Sequence, residues 1–136
     1  MSALTTINGH GGAPQITVRG TNLIRYSCSF RLWKPEGQVW PETNERDKLF
    51  HEVTFNQDHP PTDTFSLPSP AILRDLAGIT WDIDMIVPGG GGPLHYSVSV
   101  EINQDGSPVM NPVWRDEGTI TDVAAAGGDT FLRVSP

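Results

Sequence analysis

The sequence contains a single cysteine, no cluster of basic residues and no long run of apolar residues. Because Cys28 is alone, a disulfide bond within the chain is excluded. The nine lysine and arginine residues are scattered, and the net charge is −7. Nucleic-acid binding needs a basic surface that displaces counterions from phosphates, so this composition argues against DNA or RNA as a partner. No run reaches the roughly 18 apolar residues of a membrane span, so we expect no transmembrane segment.

The first residues also lack the features of a secretory signal peptide. The segment MSALTTINGHGGAPQ has neither a basic start nor an apolar core, and we therefore expect a cytoplasmic protein. The sequence leaves open an export route that uses no cleaved signal. Residues 1–13 are polar and glycine-rich, which predicts a flexible N-terminal arm, followed by a single domain over residues 14–136.

Glycine and proline, by contrast, are abundant, with 14 and 12 residues. This composition favours short strands and turns over helices. We predict an all-β fold, a two-sheet antiparallel β-sandwich of Ig-like or jelly-roll type, with about eight short strands. One short helix is expected over residues 69–78, because Ser69 can cap it, Pro70 suits its first position and Gly78 suits its end.

The segment Gly78–Gly106 contains two alternating runs separated by PGGGGP. Period-two alternation of apolar and polar residues is typical of strands with one buried face. We predict that the two runs form a hairpin closed by the four glycines, with Trp81 opposite Val100 and Met85 opposite Tyr96.

Further runs with strand character flank this segment. They cover residues 15–19, 22–33, 49–56, 64–67, 113–123 and 130–134, with an interruption expected at 115–118. Residues 34–48 and 124–129 are interpreted as loops. The first of these loops is unusually long, and such loops often carry function.

Two aspartates provide the best metal candidates. Asp82 and Asp84 project from the same face of a strand, and Asn103 and Asp105 could add oxygen ligands. Calcium takes about six to eight oxygen ligands, so two carboxylates fall short. The alternative is a solvated face neutralised by Arg25 and Arg31. We therefore predict no metal and no cofactor, with Asp82 and Asp84 kept as candidates.

Catalytic signatures are absent from the sequence. The histidines show no H-x-H or H-x-x-x-H spacing, which argues against metal motifs on strands or helices. Cys28 shares its parity with core residues, and no nucleophile–base motif accompanies it. We predict that the protein is not an enzyme.

Aromatic residues outside the alternating core provide candidate contacts. Trp33, Trp40 and Trp114 lie at strand ends or in loops, and His95 follows the glycine run. Exposed aromatic rings can stack on sugars or anchor a protein partner. The alternative for each tryptophan is that it folds back onto the core.

A possible apolar patch on an outer face supports a role in binding. Leu23, Trp33, Phe50 and Ile86 fall on the polar parity of their strands, and a cluster of them would require a cover. We predict a non-catalytic binding or interaction module that self-associates or binds a protein partner. The alternative is a carbohydrate-binding domain that uses exposed tryptophans. A cupin-like enzyme or metal protein is a third class, which the missing histidine motif disfavours.

Overall fold

The computed structural model describes residues 3–21, 24–37, 39–40, 50–53, 62–87 and 93–136. These ranges are almost entirely β-structure, with one short helix, which confirms the predicted fold class. The elements are β1 (Ala3–Asn8), β2 (Gln15–Gly20), β3 (Arg25–Trp33), β4 (Val39–Trp40), β5 (Phe50–Val53), β6 (Thr62–Ser66), α1 (Pro70–Leu73), β7 (Gly78–Ile86), β8 (Leu94–Gln104), β9 (Ser107–Pro108), β10 (Met110–Asn111), β11 (Trp114–Ile120) and β12 (Val123–Ser135).

The strands form two sheets that pack face to face. Within the described residues, the larger sheet has the order β10-β1-β12-β7-β3-β4, and β5 also pairs with β3. The smaller sheet has the order β11-β8-β2-β6, and β9 pairs with β8. The described pairs are antiparallel except β1 and β12, which run parallel. The two-sheet sandwich is thus confirmed, and the choice between Ig-like and jelly-roll topology stays a prediction.

The core consists of alternate residues from both sheets. Such a period follows from the pleat, which points successive side chains to opposite faces. Each buried aliphatic or aromatic side chain stabilises the fold by roughly 1.5–3 kcal/mol. The buried apolar residues of β3, β7 and β8 are Tyr26, Cys28, Phe30 and Leu32 of β3, Ile79, Trp81, Ile83 and Met85 of β7, and Tyr96, Val98, Val100 and Ile102 of β8.

The predicted hairpin between the two halves of the central segment is wrong. Strand β7 lies in the larger sheet, where Trp81 pairs with Phe30 and Gly128. Strand β8 lies in the smaller sheet, where Val100 pairs with Val18. Both strands turn their apolar face into the same core from opposite sides. Alternation identifies the buried face of a strand but not the strand that it pairs with. In the sequence, two strands that face each other across the core therefore resemble two strands paired in one sheet. The four glycines themselves lie outside the described residues.

The predicted N-terminal arm is also corrected, because residues 3–8 form strand β1. Ala3, Thr5 and Ile7 are buried, and β1 pairs with both β10 and β12. The hydroxyl groups of Thr5 and Thr130 lie 2.8 Å apart and hydrogen-bond to each other. Because the two threonines satisfy each other, a polar residue can occupy a core position here. The boundary of the remaining domain stays a prediction.

Residues 124–129, predicted to be a loop, belong to the 13-residue strand β12. The expected interruption at 115–118 is likewise wrong, since β11 is continuous from Trp114 to Ile120. Alanine and glycine are rare in strands because they offer little packing surface. At position 128 glycine is required, since a Cβ there would lie 2.5 Å from Nε1 of Trp114 and 2.9 Å from Nε1 of Trp81.

The helix is shorter than predicted. It spans only Pro70–Leu73, with Pro70 in its first turn and no side-chain cap from Ser69. Leu73 and Leu76 are buried, whereas Ile72 is 40% exposed. A single turn gains little from its own hydrogen bonds and is held by packing. None of the helices in the described residues could cross a membrane.

Candidate functional site

The outer face of the larger sheet carries a row of four residues that we call the aromatic strip. Trp33, Gly78, Phe131 and Leu4 lie in register across β3, β7, β12 and β1. Phe131 is 60% exposed and Leu4 is 41% exposed. At about 4.8 Å between neighbouring strands, the strip is about 15 Å long.

Trp33 is held in place beside Gly78. Its indole Nε1 donates a hydrogen bond to Oγ1 of Thr80, 2.9 Å away, so the ring leans over β7. A Cβ at position 78 would lie 2.8 Å from the carbonyl oxygen of Thr130. Only glycine fits this close approach of two strands. Position 78 therefore adds no side chain between Trp33 and Phe131.

Polar residues border the strip on both sides. Arg31, Thr80 and Asp129 form the neighbouring row on one side. Thr6 and Arg133 form a row on the other side. The strip is thus an apolar band one residue wide, flanked by groups that can form hydrogen bonds.

The two aspartates proposed as metal candidates lie further along the same face. Nη2 of Arg31 is 3.0 Å from Oδ2 of Asp82, and both side chains are about half exposed. Such a surface ion pair contributes at most about 1 kcal/mol, but it supports the interpretation that this face is neutralised by arginine. In the described ranges, no group of three or more His, Cys, Asp or Glu residues is placed to hold a metal.

A second surface lies at the other end of this face. Val123 is 67% exposed and Ile86 is 41% exposed, and they pair in register. They line a shallow groove of about 580 Å³, together with residues such as Arg25, Ser27 and Ala125. Gly78 and Ile86 are eight residues apart on β7, which corresponds to about 26 Å.

The predicted apolar patch is therefore not one cluster. Trp33 lies at the aromatic strip and Ile86 lies at the groove. Leu23 and the side chain of Phe50 lie outside the described part of the structure. The outer face instead carries two separate apolar surfaces.

Trp114, a predicted contact residue, packs onto the core. Its ring meets that of Trp81 with a centroid distance of 5.8 Å and an interplanar angle of 74°. This edge-to-face geometry is a favourable aromatic contact. Trp114 therefore folds back onto the core, which is the alternative that the sequence left open for each tryptophan.

The remaining predicted contact residues are dispersed. Trp40 lies in β4, and its side chain falls outside the described residues. His95 is exposed on the outer face of the smaller sheet, in register with Thr119. The structure therefore does not bring Trp33, His95 and Trp114 into one site.

Both tyrosines serve structural roles at strand ends. The hydroxyl of Tyr96 donates a 2.7 Å hydrogen bond to Oδ2 of Asp116, and this bond, together with burial, raises the pKa of Tyr96. Tyr26 accepts a hydrogen bond from the backbone N–H of Thr21. Burial is the main cause that raises the pKa of Tyr26.

The sequence reasoning missed Phe131 and Leu4. A signal for Phe131 was present, because it shares its parity with Asp129 and Arg133, which are exposed. Leu4 was not predicted as a contact residue because residues 1–13 were interpreted as a flexible arm. The sequence does not indicate that Phe131 and Leu4 are neighbours, because this depends on the parallel pairing of β1 with β12.

The fold and these surfaces define a two-sheet β-sandwich with an apolar band on its larger sheet. The structure is similar to that of a DUF4425 family protein from Bacteroides ovatus ATCC 8483, with a TM-score of 0.45, 11% sequence identity and coverage of 88% of this chain and 94% of the other. It is also similar to a domain of unknown function, DUF4425, from Bacteroides vulgatus ATCC 8482, with a TM-score of 0.48, 11% identity and coverage of 88% and 95%. Comparison with protein-family models gives no match, and comparison with curated proteins gives none either.

Proposed function

We propose that this protein is a non-catalytic interaction module that self-associates through the N-terminal half of β12. The observation that carries the proposal is an open strand edge. Strand β12 pairs with β7 from Val123 onward, whereas its pairing with β1 begins only at Thr130. No other described strand pairs with residues 123–127, which we call the β12 edge.

The composition of the β12 edge sets it apart from the other described edges. Its sequence, VAAAG, has no charge and no proline. Edge strands are usually protected by charges, by proline or by short length. Strands β11, β6 and β5 carry charged residues, among them Glu117, Asp63 and Glu52, and β4, β9 and β10 each have two residues. An unprotected edge offers backbone donors and acceptors that another extended strand satisfies.

A second copy of the chain fits this edge. Antiparallel pairing about a two-fold axis at Ala125 makes both copies use the same surface. In that register Asp122 lies opposite Gly128 of the second copy, and Asp129 lies opposite Thr121. No acidic residue then faces another, although each copy carries a net charge of −7. Exposed Val123, beside Ile86, lies directly at this contact.

The non-catalytic part of the proposal is supported by the position of Cys28. The only cysteine is fully buried in β3, and a buried thiol in apolar surroundings is inert. The cytoplasmic location belongs to the same proposal and rests on the sequence features described above.

Sedimentation velocity over a wide range of concentrations tests self-association. We expect the sedimentation coefficient of the wild type to rise with concentration. The rise should be stronger at high salt, because salt screens repulsion between two acidic copies. Ala125→Lys places a charge on the β12 edge and should keep the protein monomeric.

The matched control is Gln15→Lys, which adds the same charge to an exposed position on the smaller sheet. This variant should associate like the wild type. A wild-type protein that stays monomeric at the highest concentration, or an Ala125→Lys variant that associates normally, would refute the proposal.

A further inference from the structure

We infer that the aromatic strip is a binding site for a neutral, linear oligosaccharide chain. A pyranose ring has an apolar C–H face and a rim of hydroxyl groups. Aromatic side chains contact the C–H face, and neighbouring polar side chains hydrogen-bond the hydroxyls. The strip offers both features, with Trp33 and Phe131 as rings and Thr80, Asp129 and Arg133 at its sides.

The dimensions of the strip favour a sugar chain over a protein surface. Stable protein interfaces bury about 800 Å² on each partner. A band one residue wide and about 15 Å long covers roughly 100 Å². That footprint is much too small to hold a folded protein, whereas it suits about three linked pyranose rings laid across the strands.

The charges around the strip favour a neutral ligand. Arg31 is paired with Asp82 at 3.0 Å. Asp129 and Arg133 lie two residues to either side of Phe131 on the same face. These side chains sum to no net charge, so the site offers hydrogen bonds without attraction for an anionic sugar.

This site is separate from the surface of self-association. The strip crosses β12 at Phe131, whereas the β12 edge covers residues 123–127. Either proposal can therefore be refuted without the other. Ala125→Lys and sedimentation test self-association, and Phe131→Ala and calorimetric titration test sugar binding.

A glycan array of neutral linear hexasaccharides built from common hexoses and pentoses, with polygalacturonate as the anionic comparison, tests the assignment. Calorimetric titration then measures the affinity of each sugar that gives a signal. We expect at least one neutral hexasaccharide to bind with a Kd below about 1 mM, and polygalacturonate to bind more weakly. Phe131→Ala should weaken binding at least about tenfold, since it removes the more exposed of the two rings of the aromatic strip.

Phe131 is a suitable position for the test because it is 60% exposed, so we expect the variant to fold, whereas Trp33 is half buried and hydrogen-bonded. The control is Thr119→Ala, at an exposed position of β11 on the smaller sheet, and it should bind sugar like the wild type. Absence of any array signal, preference for polygalacturonate, or unchanged binding by Phe131→Ala would each overturn the assignment. If Phe131→Ala lost self-association but kept sugar binding, the aromatic strip would be a contact between copies, and its assignment as a sugar site would be overturned as well.

Discussion

The indole rings of Trp81 and Trp114 meet edge to face across the two sheets, with their centroids 5.8 Å apart. Trp81 belongs to β7 of the larger sheet and Trp114 to β11 of the smaller sheet. The contact closes one side of the sandwich over Gly128. In the described structure Nε1 of Trp81 is buried without a hydrogen-bond partner, so packing rather than hydrogen bonding holds this corner.

We predict that Gly128→Ala destabilises the protein. The added Cβ would lie 2.5 Å from Nε1 of Trp114 and 2.9 Å from Nε1 of Trp81. Trp81 is completely buried, so it cannot move aside easily, and overpacking of a core typically costs about 1–3 kcal/mol. Urea unfolding followed by tryptophan fluorescence measures the free energy of unfolding.

The neighbouring glycine provides the matched control. A Cβ at Gly127 would point outward and lie 3.1 Å from the backbone oxygen of Trp81, which requires only a small shift. We expect Gly127→Ala to change the free energy of unfolding by less than about 0.5 kcal/mol. Equal effects of the two substitutions would show that the Trp81–Trp114 contact does not restrict position 128.

The alternating residues show what could be predicted from the sequence. Ile79, Trp81, Ile83 and Met85 were assigned to the core correctly, because the face of a strand is set by neighbours two residues away. The turn at Asp105-Gly106 is also encoded locally, and both residues have positive φ values, 51° and 81°. An Asp-Gly pair is typical of two-residue hairpin turns for that reason.

Relationships between distant strands could not be predicted in this way. The pairing of Trp81 with Phe30 and Gly128 depends on which strands share a sheet, and alternation carries no such information. The strand over residues 124–129 was not predicted because alanine and glycine are rare in strands, and the glycine at position 128 is explained by Trp114 on the opposite sheet. Of the aromatic strip, only Trp33 was predicted as a contact residue, and its place in one row with Phe131 and Leu4 depends on strand pairings that alternation does not indicate.

A second prediction concerns Gln104, which joins the end of β8 to the loop between β1 and β2. Its Oε1 accepts a hydrogen bond from the N–H of Asn8 at 2.8 Å, and its Nε2 donates to the carbonyl oxygens of Asn8 and Gly12, each at 2.9 Å. Gln104→Leu would leave the N–H of Asn8 and the carbonyl oxygen of Gly12 without this partner, whereas the carbonyl oxygen of Asn8 keeps a hydrogen bond from the N–H of Gly11. An unsatisfied buried group costs about 1–3 kcal/mol, and we expect a loss of at least about 2 kcal/mol in urea unfolding.

Asn103→Leu is the control for this position. Asn103 is half buried next to Gln104, and its amide is 3.5 Å from Glu101, which is a long hydrogen bond. This variant should lose less than about 1 kcal/mol. A loss for Gln104→Leu no larger than that of the control would contradict the role of Gln104 in holding the loop between β1 and β2.

The third prediction concerns stability at alkaline pH. The chain has two tyrosines, and the pKa of each is raised above the ordinary value of 10.0. For Tyr96 the main cause is its hydrogen bond to Asp116, and for Tyr26 it is burial. Above pH 10 the unfolded chain therefore loses these protons while the folded chain keeps them. The resulting stabilisation is complete below pH 10 and is lost as the pH rises through the folded pKa values.

Urea unfolding between about pH 8 and pH 11 measures this decline, and absorbance of tyrosinate follows the ionisation directly. Tyr96→Phe removes the group that titrates next to Asp116. The variant should be less stable than the wild type at pH 8, because the hydrogen bond is lost, and its stability should fall less steeply above pH 10. If the wild type and Tyr96→Phe declined in parallel over this range, the hydrogen bond to Asp116 would not be what holds the proton on Tyr96.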